Sequence, residues 1–213
     1  MKTDDLVALL AKDTAAVPKG RVIGRLVAVS VAGAVVAFGV LMAWLGMRPD
    51  LVAALQSGPY WMKTSYTLGL TAGGFVLIER LSRPGARGKA GAIVLALCLA
   101  SIAGLAIMKM MPATPDERMA AMMGSSWSKC PWRILALALP GLAAILYGVR
   151  QLAPTRRALA GAAAGLLAGA ISATVYGLYC QETAAPFVAI WYTLGISLCA
   201  GLGAIVGRRV LAW

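Results

Sequence analysis

The chain has 213 residues, 60% of them hydrophobic, a net charge of +12 and no histidine. That apolar share is more than a soluble domain of this length carries, and the missing histidine removes the commonest metal ligand and the usual acid–base residue near neutral pH. The positive charge falls in short clusters between apolar runs, without a basic stripe interleaved with aromatics, which argues against direct contact with nucleic acid.

In chain order, residues 1–25 form a polar tail in which Thr3 or Asp4 can cap a short helix. Leu6, Leu9 and Leu10 follow at i, i+3, i+4 and make one apolar edge, ended by Pro18 and Gly20. Ten to twelve residues are too few to hold a helix alone. The edge therefore needs a surface, either the lipid interface or the groove of a soluble partner.

Apolar runs then cover residues 26–45, 60–78, 90–108, 131–147, 158–179 and 186–206. Each is close to the ~20 residues that cross a hydrocarbon layer ~30 Å thick. The expected fold is all-α: a polytopic bundle of six transmembrane helices over residues 26–207, between the 1–25 tail and a short 208–213 tail. Lys63, one turn inside the second run, reads as a snorkelling residue. Of the 20 Lys and Arg residues, 14 lie in the two tails and the second and fourth loops, and six on the opposite side. The positive-inside rule then puts both termini in the cytoplasm.

Small residues recur every four positions at Gly161, Gly165, Gly169, Ala173 and Gly177, and again at Gly195, Cys199, Gly203 and Gly207. Such stripes let helix backbones approach closely. Cys199 occupies one of these slots, and Cys98 lies in mid-span; both read as packing residues. That leaves Cys130 and Cys180, at two polar-to-apolar turns on the outer side. Four cysteines allow three connectivities, and the topology favours this pair.

Cys130 precedes Pro131 and reads as the N-cap of the fourth span, between Lys129 and Arg133. A helix N-terminus and two cations would make its thiol the more acidic of the two. Cys180, near Glu182 at the end of the fifth span, would be less acidic. On this reading Cys130 reacts first with an oxidant and Cys180 resolves the product into a disulfide. A permanent structural disulfide and a two-thiolate soft-metal site on Cys130 and Cys180 are the alternatives. Met108, Met110, Met111, Met119, Met122 and Met123 crowd the outer loop before Cys130. They read as an amphipathic helix leaning on the membrane, or as auxiliary soft or oxidisable groups.

The segments GSSWSKCPWRI (124–134) and YCQETAAPFVAIWYTLGI (179–196), with the MKTDDLVALLAKD tail, resemble the NrsF family of membrane-bound anti-sigma factors. The resemblance implies an inner-membrane protein, not an enzyme, that holds an extracytoplasmic-function sigma factor at its N-terminal tail. It also implies release when the outward Cys130/Cys180 pair meets oxidants or soft heavy metals, with no resident cofactor. The rival classes are a membrane thiol oxidoreductase and a small transporter. The first would want a second exposed pair or a C-x-x-C motif, and the second charged residues at mid-depth.

Overall fold

A computed structural model describes residues 19–83, 88–152 and 154–212. Among them the chain is helical throughout, with no strand. The long helices are α1 (Lys19–Trp44), α3 (Gly58–Leu81), α4 (Lys89–Met110), α6 (Cys130–Arg150), α7 (Arg157–Tyr176) and α8 (Ala185–Val210). Two short ones, α2 (Leu51–Leu55) and α5 (Pro115–Met123), lie in the connections. The expected tail contacts at Leu6, Leu9 and Leu10 lie outside the described residues.

The helices alternate in direction, as short connections require. Gly33 meets Gly141 while Val29 meets Gly148, so α1 and α6 run antiparallel. The matched pairs Gly161 with Gly207 and Gly169 with Ile196 do the same for α7 and α8, and Gly69 with Cys98 and Gly91 with Leu77 for α3 and α4. The start of α1 and the end of α8 therefore lie at one end of the bundle, with Arg80, Lys89, Arg150 and Arg157. The turns bearing Cys130 and Cys180 lie at the other.

α7 is the centre, packed by α1, α3, α6 and α8. Its composition explains why: Ala160, Ala163, Ala164, Ala168, Ala170 and Ala173 are all buried, and side chains this small let four neighbours approach at once. The two expected stripes pack against each other. A Cβ on Gly165 would overlap the Cys199 carbonyl, and one on Gly207 would lie 2.7 Å from the Gly161 Cα. Cys199 is fully buried in this seam, a packing residue. At the periphery Val31, Val35, Ile93, Leu97 and Ile107 are exposed, an apolar surface suited to lipid.

Among the described residues five helices are long and apolar enough to cross a membrane: Val22–Trp44, Lys89–Met110, Cys130–Arg150, Arg157–Tyr176 and Ala185–Val210. The remaining expected span falls in α3, which has the length, 24 residues, but is more polar. It carries Lys63, Thr64, Ser65, Tyr66, Thr67 and Thr71. These groups are satisfied internally: the Tyr66 and Thr193 hydroxyls share a 2.6 Å hydrogen bond, and Thr71 donates to the Thr67 carbonyl at 2.9 Å. Hydropathy counts such residues as water-seeking, whereas here all but the exposed Ser65 are at least half-buried and bonded within the protein.

Candidate functional site

The end of the bundle opposite the basic clusters is capped by two loops that lock together. The 124–129 turn enters α6, and residues 177–184 join α7 to α8. Gly124 ends α5 with φ +53° and ψ −161°, a conformation open to glycine alone. A Cβ there would sit 2.7 Å from the Glu182 carboxyl carbon. The close approach lets Glu182 Oε1 accept from both the backbone N–H and the hydroxyl of Ser125, each at 2.7 Å. Arg133 Nη1 donates to the Tyr179 hydroxyl at 3.3 Å and lies over that ring, a second tie between the loops.

Beneath these ties Cys130 and Cys180 come together. Both are free thiols, 0% and 2% exposed. Each is set by a local turn: Cys130 N–H donates to the Ser126 carbonyl and Cys180 N–H to the Tyr176 carbonyl, both at 2.9 Å. The two thiols lie close enough for each to act on the ionisation of the other. The charge distribution reverses the order expected from sequence. Lys129, not Cys130, is the N-cap of α6, and Cys130 is the first helical residue. The nearby cations gather instead about Cys180. Interaction with the Cys130 thiol, reinforced by the charge of Lys63, brings the Cys180 thiol down to about 6 against the opposing effect of burial. Cys180 is the thiol disposed to be the nucleophile.

Lys63 is the main residue that sequence reasoning misplaced. It does not snorkel. It is 1% exposed, and its Nζ donates to the backbone carbonyls of Cys180 (2.7 Å) and Glu182 (3.0 Å). The rings of Tyr60 and Tyr192 flank the ammonium at 5.8 and 5.7 Å. The available signal was that a lone ionisable residue within an apolar run marks a functional site by default. Arg48, also buried, donates to Asp50 Oδ1 and Oδ2 at 2.7 and 2.6 Å and reaches the Cys180 carbonyl at 3.5 Å. Tyr176 and Tyr192 complete the surroundings, their rings 5.9 Å apart. Tyr192 lies in a π-helical turn of α8, Val188–Tyr192, a distortion frequent at functional sites.

A polar cavity of about 400 Å³ lined by Arg48, Ser125, Arg133, Tyr179, Cys180 and Glu182 connects this region to the surface. Among the described residues no three Cys, Asp or Glu side chains group as a metal site. The methionines stand apart. Met108, Met111 and Met119 are exposed and Met110, Met122 and Met123 half-buried, along the end of α4 and on α5. α5 is fixed by a Thr114–Glu117 capping box and by the Trp191 indole donating to the Met122 carbonyl at 2.8 Å.

Fold and site together define a helical bundle suited to a membrane, with a polar head built on two buried thiols and a buried lysine. The chain belongs to the NrsF family, described as negative regulator of sigma F, which matches residues 10–213. It is 40% identical over its full length to the anti-sigma-F factor NrsF of Caulobacter vibrioides. It is 39% identical to a probable anti-sigma-F factor NrsF of Azospira oryzae, again over the whole of both chains. No solved structure matches it. The family is regulatory rather than catalytic, in keeping with the non-enzymatic reading.

Proposed function

We propose that the protein is an inner-membrane anti-sigma factor whose Cys130/Cys180 pair faces the periplasm and senses oxidants. Six helices span the membrane, α3 among them, its polar groups turned onto α7 and α8. The excess of Lys and Arg at the end holding the start of α1 and the end of α8 supports a cytoplasmic location for both termini. The N-terminal tail, through Leu6, Leu9 and Leu10, holds an extracytoplasmic-function sigma factor. Family membership and the sigma-F named for both relatives support that class of partner.

One observation carries the sensing role: two free, buried thiols, close enough to act on each other, beside a polar cavity. Oxidation removes two electrons and the thiol protons, forms one S–S bond and pulls the two capping loops together. The bundle then shifts between two packings, the means by which an outer event reaches an inner tail. The test is a pulldown of the tagged protein from membranes, with and without diamide. A sigma factor should co-purify and leave on oxidation, and Cys130→Ser or Cys180→Ser should retain it under diamide. Retention by the wild type under diamide, with the disulfide formed, would refute the sensing role.

A further inference from the structure

Among the described residues, the Lys63 ammonium hydrogen-bonds two carbonyls and no carboxylate. The Glu182 carboxylate is engaged by Ser125, and Asp50 is paired with Arg48. The Lys63 ammonium instead rests on two carbonyls, with its Cε 3.7 Å from where a Gly177 Cβ would lie. Carbonyl dipoles solvate a cation but do not neutralise it, and an unbalanced buried charge costs several kcal/mol, as an order of magnitude. Of the groups around it, Arg48 is a second cation. The groups that can set a negative charge against Lys63 are the thiol pair, Cys180 foremost, and less strongly the Glu182 carboxylate.

We infer that Lys63 is the positioning residue of the thiol pair: it clamps the Cys180 segment by its carbonyls, and its buried charge holds the pair toward the reduced state. This deepens the sensing reading and rests on it. With Cys180 as thiolate and Cys130 as thiol, oxidation by diamide forms the S–S bond. Both electrons pass to the N=N bond of diamide, which takes one proton from Cys130 and a second from water and becomes a hydrazine. The pair then bears no negative charge, and the ammonium loses its foremost counter-charge. A disulfide beside Lys63 is therefore less favourable than one formed without it, which keeps the sensor off until an oxidant is present. The unbalanced charge lies one turn into α3, a helix that runs the length of the bundle to Arg80.

The test uses the full-length chain in detergent, with Cys98→Ser and Cys199→Ser so that only the pair titrates. The dithiol–disulfide equilibrium is measured against dithiothreitol or glutathione buffers. Lys63→Gln keeps a donor for the carbonyls but removes the charge; Lys63→Arg keeps the charge. The expected result is that Lys63→Gln favours the disulfide at least about tenfold relative to the parent, a potential about 30 mV more negative, while Lys63→Arg stays within about threefold of the parent. Equal potentials for parent and Lys63→Gln, or an Arg variant displaced as far as Gln, would overturn the inference. Should Lys63→Gln not accumulate, Lys63→Met takes its place, with the same expected and overturning results. A parent chain that bridges and shows the Lys63 effect, yet keeps its sigma factor in membranes, would sink the sensing reading alone.

Discussion

Gly124→Ala offers a test of how the two loops set the thiols face to face. Alanine at φ +53°, ψ −161° is forced into a region closed to it, at a cost of about 1–3 kcal/mol. The added Cβ would also lie 2.7–2.8 Å from all three atoms of the Glu182 carboxyl group. Normal contact is near 3.5 Å or more, so that carboxylate must move by about 1 Å, off both of its bonds to Ser125. Taking the backbone term alone, the closed pairing of the loops loses between about fivefold and 150-fold in population. Disulfide formation under diamide should slow by at least about fivefold, followed by quenching samples with a polyethylene-glycol maleimide and resolving them on gels. Cys98→Ser and Cys199→Ser keep the count clean. Bridging within twofold of the parent rate would refute the argument that these loops hold the sulfurs together.

Other expectations follow from the same geometry. Glu182→Gln removes the charge from two hydrogen bonds worth about 1.5–3 kcal/mol each when ionic, and should slow bridging in the same assay. No change would mean that Ser125 is held by other contacts. Gly165→Leu drives a side chain into the Cys199 carbonyl at the α7–α8 seam, where overpacking costs about 1–3 kcal/mol. Its thermal midpoint should fall, whereas Gly104→Leu, with nothing within 4 Å of its Cβ, should leave the midpoint where it is.

The reduced protein should also respond to pH through Cys180. Its folded value of about 6 lies below that of an unfolded thiol, about 8.5. The contribution is therefore complete above about pH 8.5 and is lost as pH falls through 6. Thermal stability should rise between those limits, and Cys180→Ser should lack that part of the rise. Superimposable profiles would contradict the assignment.

How much of this was open to a reader of the sequence varies from element to element. α1, α4, α6, α7 and α8 announce themselves by apolar length, because hydrocarbon accepts little else. The α7–α8 seam is legible as well, since a four-residue repeat of Gly, Ala and Cys puts every small residue on one face. Cys130 and Cys180 stand out as the cysteines outside the long apolar runs. The order of their acidity does not, because sequence neighbours misled. Lys129 and Arg133 flank Cys130 in the chain, while the cation that acts on Cys180 comes from 117 positions away.

What the residues alone determined is therefore the set of membrane-length helices, their alternating order, the clustering of positive charge at one end, and the pair of cysteines at the other. What the tertiary structure decided is the electrostatics of that pair: the turning of Lys63 inward, the pairing of Arg48 with Asp50, and the docking of Glu182 on Ser125. The division has a physical cause. Transfer into lipid sums over local composition and can be read along the chain. The field at a buried sulfur depends on distances of a few ångströms between segments far apart in sequence, and only packing sets those.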